Sequence, residues 1–260
     1  MNLNGKRIII TGASSGIGRE LLKMLAKYDT TIIAVGRNIE NIPDINNKIT
    51  PYKCDVSQKE NIDKLFNFAL KNMGGIDLFI ANAGFAYCEE LNKADWDHIE
   101  SIFKTNVISP IYSFEKMKEL NKGRRHTVVI TCSAVSHVPL PGYALYCSTK
   151  AAIDHFAHTY RFEKNDRGKL TLVYPVATAS NFFKNAGEKA PIPFPIHPPK
   201  WVAFCILIGI KFNFHSVYPS PLYALSYYTI NRVFPFIYGI YDIINALIFK
   251  IWAKKHKTHN

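Results

Sequence analysis

The chain has 260 residues, 48% of them hydrophobic and 20% charged, with a net charge of +12. That composition excludes disorder and suits one large α/β domain or two small ones, with an anionic partner: a phosphorylated cofactor, an acidic carrier or an anionic membrane surface. Five scattered cysteines with no C-x-x-C pair exclude a disulfide framework, and the lack of zinc-finger spacing or an RNA-binding aromatic signature argues against nucleic acid.

KRIIITG begins at residue 6, and its apolar run is too short for a secretory segment, so the expected location is cytoplasmic. RIIIT (7–11) is short, β-branched and apolar, the pattern of a strand covered on both faces. A glycine-rich turn, TGASSGIG (11–18), separates it from RELLKMLAKY (19–28), which has helical periodicity. TIIAVG (31–36) is a second strand, and KENIDKLFNFALKNM (59–73) a helix with Ile62, Leu65, Phe66, Ala69 and Leu70 on one face. IDLFIANAG (76–84), HTVVITCS (126–133) and KLTLVYP (169–175) read as further strands, with helical stretches around 93–121 and 149–164. This βαβα alternation predicts an α/β fold, a doubly wound parallel sheet flanked by helices. No linker or repeat divides 1–180. Beyond it come a proline-rich connector, APIPFPIHPPK (190–200), a buried-helix pattern, WVAFCILIGIKF (201–212), and a last strand in HSVYP (215–219). The expected division is a main unit, 1–220, and a hydrophobic, basic extension, 221–260.

The glycine turn follows a strand and opens a helix, the context that gives such a motif its meaning. Gly12 permits the tight turn, and Gly16 and Gly18 let backbone and helix approach a pyrophosphate, which the helix N-terminus attracts. After the second strand, Gly36 sits where an acid would bind the ribose 2′-hydroxyl of NAD, and Arg37 follows it. A guanidinium pairs with a 2′-phosphate, so the expected cofactor is NADP(H). Ser133 ends an apolar strand thirteen residues before Tyr146, and Lys150 lies one helical turn beyond Tyr146. An ammonium beside a phenol is expected to lower its pKa from ~10, towards the range useful to a general acid–base. His98, His137, His155 and His158 have no metal-ligand spacing, and no metal is expected.

With these motifs the chain resembles the short-chain dehydrogenase/reductase family of single-domain, Rossmann-like enzymes. The resemblance covers roughly 5–183 and rests on TGASSGIG, Asp55 in CDVS, Asn82-Ala83-Gly84, Asn106 in KTNV, Ser133, and Tyr146-x-x-x-Lys150. It implies that Tyr146 gives a proton to a carbonyl oxygen as the nicotinamide delivers hydride to the carbon, while Ser133 orients that carbonyl. Lys150 would hold the nicotinamide ribose and tune Tyr146, and Asn106 would place a water in a proton relay to Lys150. Thr11, Gly12, Ser14, Ser15, Gly16, Ile17 and Gly18 would form the phosphate turn. Asp55 would meet the adenine, and Asn82, Ala83 and Gly84 would line the cofactor trough. The run YPVATASNF departs from the family: Val176 replaces a glycine, and Ser180 stands where a threonine holds the carboxamide, with Thr178 the second candidate.

The resemblance implies that the segment 181–200 covers the substrate, and its Phe182, Phe183, Ile192, Phe194 and Ile196 are expected to favour an apolar carbonyl over a sugar. WVAFCILIGI is too short to span a membrane. From 236 on, Ile240, Ile243, Ile244, Leu247, Ile248 and Ile251 share one helical stripe. Phe249 and Trp252 lie beside it, Asp242 and Asn245 opposite, and Lys250, Lys254, Lys255 and Lys257 follow. That pattern suits peripheral contact of 236–257 with the inner face of an anionic membrane. It also suits a homodimer or homotetramer seam, a lid or core. The residues therefore predict an NADPH-dependent reductase of a lipophilic ketone or aldehyde, such as a long-chain 3-keto lipid, near a membrane. The alternatives are a reductase acting on 3-oxoacyl groups of a carrier protein, a non-catalytic NADP(H)-binding sensor and an interaction scaffold.

Overall fold

Ile- and Val-rich strands form the centre of the computed structural model. It describes residues 1–163, 166–187 and 190–230, together with Ile240, Ile243, Ile244, Leu247, Ile248, Lys250, Ile251 and Lys254. In chain order the first half holds β1 (Lys6–Thr11), α1 (Gly16–Leu25), β2 (Thr30–Gly36), β3 (Ile49–Lys53), α2 (Lys59–Met73), β4 (Leu78–Ala81), α3 (Trp96–Phe103), a π-helical turn (Lys104–Ile108) and α4 (Ser109–Leu120). The second half holds β5 (Thr127–Thr131), α5 (Ala144–Glu163), β6 (Lys169–Val173), β7 (Ala177–Thr178), α6 (Asn181–Ala186), β8 (Ile196–His197), α7 (Pro199–Phe212), β9 (Ser216–Val217), α8 (Pro221–Leu225) and a second π-helical turn (Ser226–Ile230).

Seven strands pair in the order β3-β2-β1-β4-β5-β6-β9, all parallel, and β7 pairs with β8 apart from them. This is the Rossmann-like, doubly wound α/β fold that the alternation predicts. The period-2 geometry of β1 explains the layers. Ile9 faces one side, where it joins Ile62, Leu65 and Phe66 of α2, Phe114 of α4 and Ile153 of α5. Ile8 and Ile10 face the other, with Leu21, Leu22 and Leu25 of α1 and Val202, Ala203 and Ile206 of α7. All three isoleucines are 0% exposed, each worth roughly 1.5–3 kcal/mol of burial. The 201–212 segment thus lies against the sheet. Gly209 lets it approach β9, since a Cβ there would sit 2.3 Å from Val217 Cγ2.

Five elements, β3, β7, β8, α6 and α8, lie outside the sequence pattern. The strand β3 carries Pro51 and is largely exposed, because it pairs only with β2 at the sheet edge, where no apolar run is required. The helix α6 is capped by Ser180, whose hydroxyl accepts from the Phe182 amide at 3.3 Å. The helix α8 is capped by Ser220, whose hydroxyl accepts from the Tyr223 amide at 3.3 Å. Tyr223 packs into the first core cluster, so residues past 220 share the core of the main unit.

The eight described positions beyond 239 are helical, and Ile240, Ile243, Ile244, Leu247, Ile248 and Ile251 are exposed. Asp242, Asn245, Phe249, Trp252, Lys255 and Lys257 lie outside the described residues. Among the described residues no helix is long and apolar enough to cross a membrane.

Candidate active site

The sheet order reverses between β1 and β4, and a cavity of about 1260 Å³ opens past the carboxyl ends of the strands there. One wall is the glycine turn. Gly12 and Gly16 have φ of +68° and +53°, in the left-handed region. Gly12, Ser14, Ser15, Gly16 and Ile17 line the cavity. Thr11 and Gly18 do not. The Thr11 hydroxyl donates to Ile80 O at 3.3 Å and accepts from the amides of Asn82 and Ala83 at 3.0 and 3.1 Å, tying β1 to β4. Gly18 packs α1 onto the turn, for a Cβ there would lie 2.2 Å from Gly12 O. The Asn82 side chain braces three strand ends: Nδ2 donates to Thr11 O at 3.2 Å and Gly12 O at 3.4 Å, and Oδ1 accepts from Thr131 Oγ1 at 3.2 Å.

At one end of the cavity, past β2, Arg37 and Asp55 line the wall and are exposed. Ser14 lies beside Gly36, since a Cβ on Gly36 would be 3.5 Å from Ser14 Oγ. Asn38, Asn41 and Arg19 also line this end, residues the sequence reading passed over. Arg19 is three residues past Gly16 in the opening turn of α1, a position the glycine spacing already marked.

At the other end, Ser133, Tyr146 and Lys150 meet at the cavity wall. Ser133 follows β5 and caps a short turn over Ala134–Ser136; its Oγ accepts from the Val135 amide at 3.3 Å and donates to Pro175 O at 3.4 Å. Tyr146 and Lys150 lie one turn apart on α5. Lys150 is buried, donates to Thr131 O at 2.8 Å, and has its ammonium 5.5 Å from the Tyr146 ring centre. Burial pushes the Tyr146 phenol above its usual range, and a hydrogen bond with Ser133 only partly opposes this. The lowered phenol pKa expected from the Tyr–Lys spacing is thus reversed here: desolvation dominates, and the ammonium is aimed at Thr131. Burial also lowers the Lys150 ammonium.

Asn106 lies behind the wall in the π-helical turn, 2% exposed and outside the cavity lining. Its Nδ2 donates to Phe85 O at 2.8 Å and Thr149 Oγ1 at 3.2 Å, and its Oδ1 accepts from the Phe85 amide at 3.2 Å. Gly84 leaves the room between this side chain and Lys150; a Cβ there would be 3.1 Å from Asn106 Oδ1 and 3.8 Å from Lys150 Nζ. Widened π turns recur at functional sites, and in this one the Asn106 side chain is held by Phe85 and Thr149.

The outer wall is apolar. Phe182, Phe183 and Phe194 from 181–200 line it with Leu140, Tyr143 and Val176, and the Phe182 ring sits 5.3 Å from that of Tyr146. Ile192 and Ile196 do not line it and are 49% and 47% exposed. Ser180 and Thr178 both line the cavity; Ser180 is against the glycine turn, its Cβ 3.3 Å from where a Gly16 Cβ would be. Leu222, Tyr223 and Ser226 complete the wall from the C-terminal segment, which periodicity alone did not connect to the site. Among the described residues no cluster of His, Cys, Asp or Glu is placed to hold a metal ion.

Comparison with known proteins accords with this geometry. The sequence profile of the short chain dehydrogenase family matches residues 6–191. A 3-ketodihydrosphingosine reductase of Dictyostelium discoideum is 27% identical across 96% of this chain and 85% of its own length. Among solved structures, a short chain dehydrogenase/reductase from Burkholderia phymatum in complex with NAD superposes with a TM-score of 0.77 at 16% identity, covering 87% of this chain and 92% of that one. A short chain dehydrogenase from Burkholderia cenocepacia in complex with NADP gives 0.76 at 20% identity, covering 90% and 97%.

Proposed function

The chain belongs to the short chain dehydrogenase family of NAD(P)-binding oxidoreductases, and from that premise we propose that it reduces a lipophilic ketone or aldehyde with NADPH, a long-chain 3-keto lipid being the favoured substrate class, at a membrane surface. The observation that carries this reading is one cavity bounded at one end by Ser133, Tyr146 and Lys150 and walled by Phe182, Phe183, Phe194 and Leu222. The similarity to a 3-ketodihydrosphingosine reductase over 96% of the chain supports the substrate class.

The residues fit a dinucleotide. Gly12 and Gly16 leave a cradle at the start of α1 that side chains would fill, the site where a helix N-terminus attracts phosphate. Ser14 and Arg37 flank Gly36 at the end where the adenosine would lie, and Gly36 puts no carboxylate where one would take the ribose 2′-hydroxyl, which favours NADP(H). Asp55 would meet the adenine, and Ser180 or Thr178 the carboxamide.

When bound, NADPH supplies the hydride that reduces the carbonyl carbon. The protein's part is the proton and the geometry. Ser133 Oγ donates a hydrogen bond to the substrate carbonyl and turns its oxygen towards Tyr146. The Tyr146 phenol, which burial keeps protonated, gives its proton to that oxygen as the C–O bond becomes single. Lys150, buried on the same helix face, places a positive charge beside the resulting phenolate, and Asn106 holds the backbone at Phe85 behind it. The apolar wall excludes water and takes the hydrocarbon part of the substrate.

The test is NADPH oxidation with a series of carbonyls graded by chain length. The expected result is kcat/KM rising with chain length until the cavity is filled. Tight NADPH binding with no carbonyl consumed would overturn the reading and leave a sensor.

A further inference from the structure

A buried polar network lies behind the substrate wall, and the chemistry above does not use it. His137 follows the Ser133 turn, with its side chain almost fully enclosed. Its Nε2 is 3.3 Å from Asp154 Oδ1, and its Nδ1 is 2.8 Å from the hydroxyl of Tyr223. With Nε2–H facing Asp154, Nδ1 takes a hydrogen bond from that hydroxyl, which also lies 3.3 Å from Ala134 O. The imidazole also stacks on Tyr227 at 4.1 Å and 10°, and on Tyr174 at 5.1 Å and 23°.

Each partner comes from a different element. Asp154 is one turn past Lys150 on α5, on the stripe that carries Tyr146. It also accepts from Tyr174 Oη at 2.6 Å and faces His158 Nε2 at 3.6 Å. Burial opposes its ionisation, but hydrogen bonds from His137 and Tyr174 outweigh that and hold the carboxyl below its usual range. Ala134 is next to Ser133. Tyr223 belongs to α8 and lines the cavity with Leu222 and Ser226. One imidazole therefore joins the helix of Tyr146 and Lys150, the turn of Ser133, and the C-terminal segment that closes the substrate wall.

We propose that His137 is a positioning residue: by bridging Asp154 to Tyr223 it docks residues 221–227 against the Ser133 turn and so sets the far wall of the carbonyl site. The inference rests on the cavity being a site for lipophilic carbonyls. It assigns His137 the fit of the substrate's apolar part, and neither proton transfer nor cofactor binding.

The test has two arms. The first needs no substrate: hydrogen–deuterium exchange of 221–227 in the full chain with NADPH bound. His137→Ala speeds exchange there about fivefold, the loss expected from one hydrogen bond, and His137→Gln, whose amide oxygen can still accept from Tyr223, lies between it and the parent. In the second arm, His137→Ala raises KM for a long-chain carbonyl about fivefold, with the NADPH dissociation constant unchanged. Unchanged exchange at 221–227, or NADPH affinity falling in parallel with KM, overturns the proposal. If the parent protein turns over no carbonyl, the reductase reading fails, while the exchange arm still decides the role of His137.

Discussion

The ammonium of Lys150 donates to the carbonyl oxygen of Thr131 at 2.8 Å, although it lies over the ring of Tyr146, 5.5 Å from its centre. The lysine is thereby tied to the end of β5, the strand that leads into Ser133. Its charge and the position of the serine turn are held by one bond, and the phenol's acidity is left to burial.

A titration follows from that arrangement. Burial raises the Tyr146 phenol, so at neutral pH the protein holds the acid form that carbonyl reduction consumes. The ultraviolet difference between the parent and Tyr146→Phe, in cofactor-free protein, is expected to show no phenol ionising below about 10. A phenolate appearing near neutrality would contradict the burial argument. Under the proposed mechanism the same substitution would remove the proton donor, and it is expected to lower kcat by about 10²–10⁴, with NADPH affinity retained.

The proposed preference for NADP(H) rests on Gly36 and Arg37. Arg37 is exposed, so its charge is partly screened, and Arg37→Asp is expected to raise KM for NADPH by about tenfold or more through lost pairing and added repulsion. Gly36→Asp can be accommodated, because a Cβ there meets Ser14 only at ordinary contact distance, 3.5 Å. It should move preference towards NADH. Equal kcat/KM for NADPH in the parent and Arg37→Asp would remove the guanidinium from the site.

Gly18 makes the opposite kind of demand. A methyl group there would fall 2.2 Å from Gly12 O and 2.6 Å from Asn82 Nδ2, contacts that only movement of α1 or the turn can relieve. Gly18→Ala is expected to cost about 1–3 kcal/mol of stability, the usual scale of overpacking, and to weaken NADPH binding with it. Thermal unfolding with and without NADPH measures both. A parent-like melting temperature would show that the helix does not need this approach.

These residues also show why the sequence was informative in some places and silent in others. The glycine turn, Ser133, Tyr146 and Lys150 are fixed by local geometry: a strand end, a tight turn, one turn of helix. Short-range spacing encodes such features, so they could be read in advance. The direction of the Tyr146 shift could not, because it depends on how completely α5, α6 and the Ser133 turn enclose the phenol. Strand β3 was invisible because an edge strand needs no apolar run. Tyr223 and Leu222 were missed for another reason. Nearly ninety residues separate Tyr223 from Ala134, and only tertiary packing brings them together.

The C-terminal third combines two properties that a freely dissolved enzyme does not need together. From 181 to 260 there are nine Lys and Arg against two acids, and seventeen aromatic residues, half of those in the chain. In the same region Phe194 and Leu222, which line the mouth of the cavity, are 81% and 65% exposed, and the stripe from Ile240 to Ile251 is exposed throughout. Apolar groups flanked by cations match an anionic bilayer, where side chains enter the interface and lysines meet the headgroups. Vesicles containing anionic lipid are therefore expected to pellet the full chain, with neutral vesicles retaining less. Each lysine near the surface contributes about 1 kcal/mol, so replacing Lys250, Lys254, Lys255 and Lys257 with Gln should weaken the anionic preference by well over tenfold while leaving binding to neutral vesicles unchanged. Deleting 236–260 should reduce both. If the deletion leaves partition into anionic vesicles unchanged, the stripe is not the membrane contact, and a seam between two copies of the chain becomes the better account of its exposure.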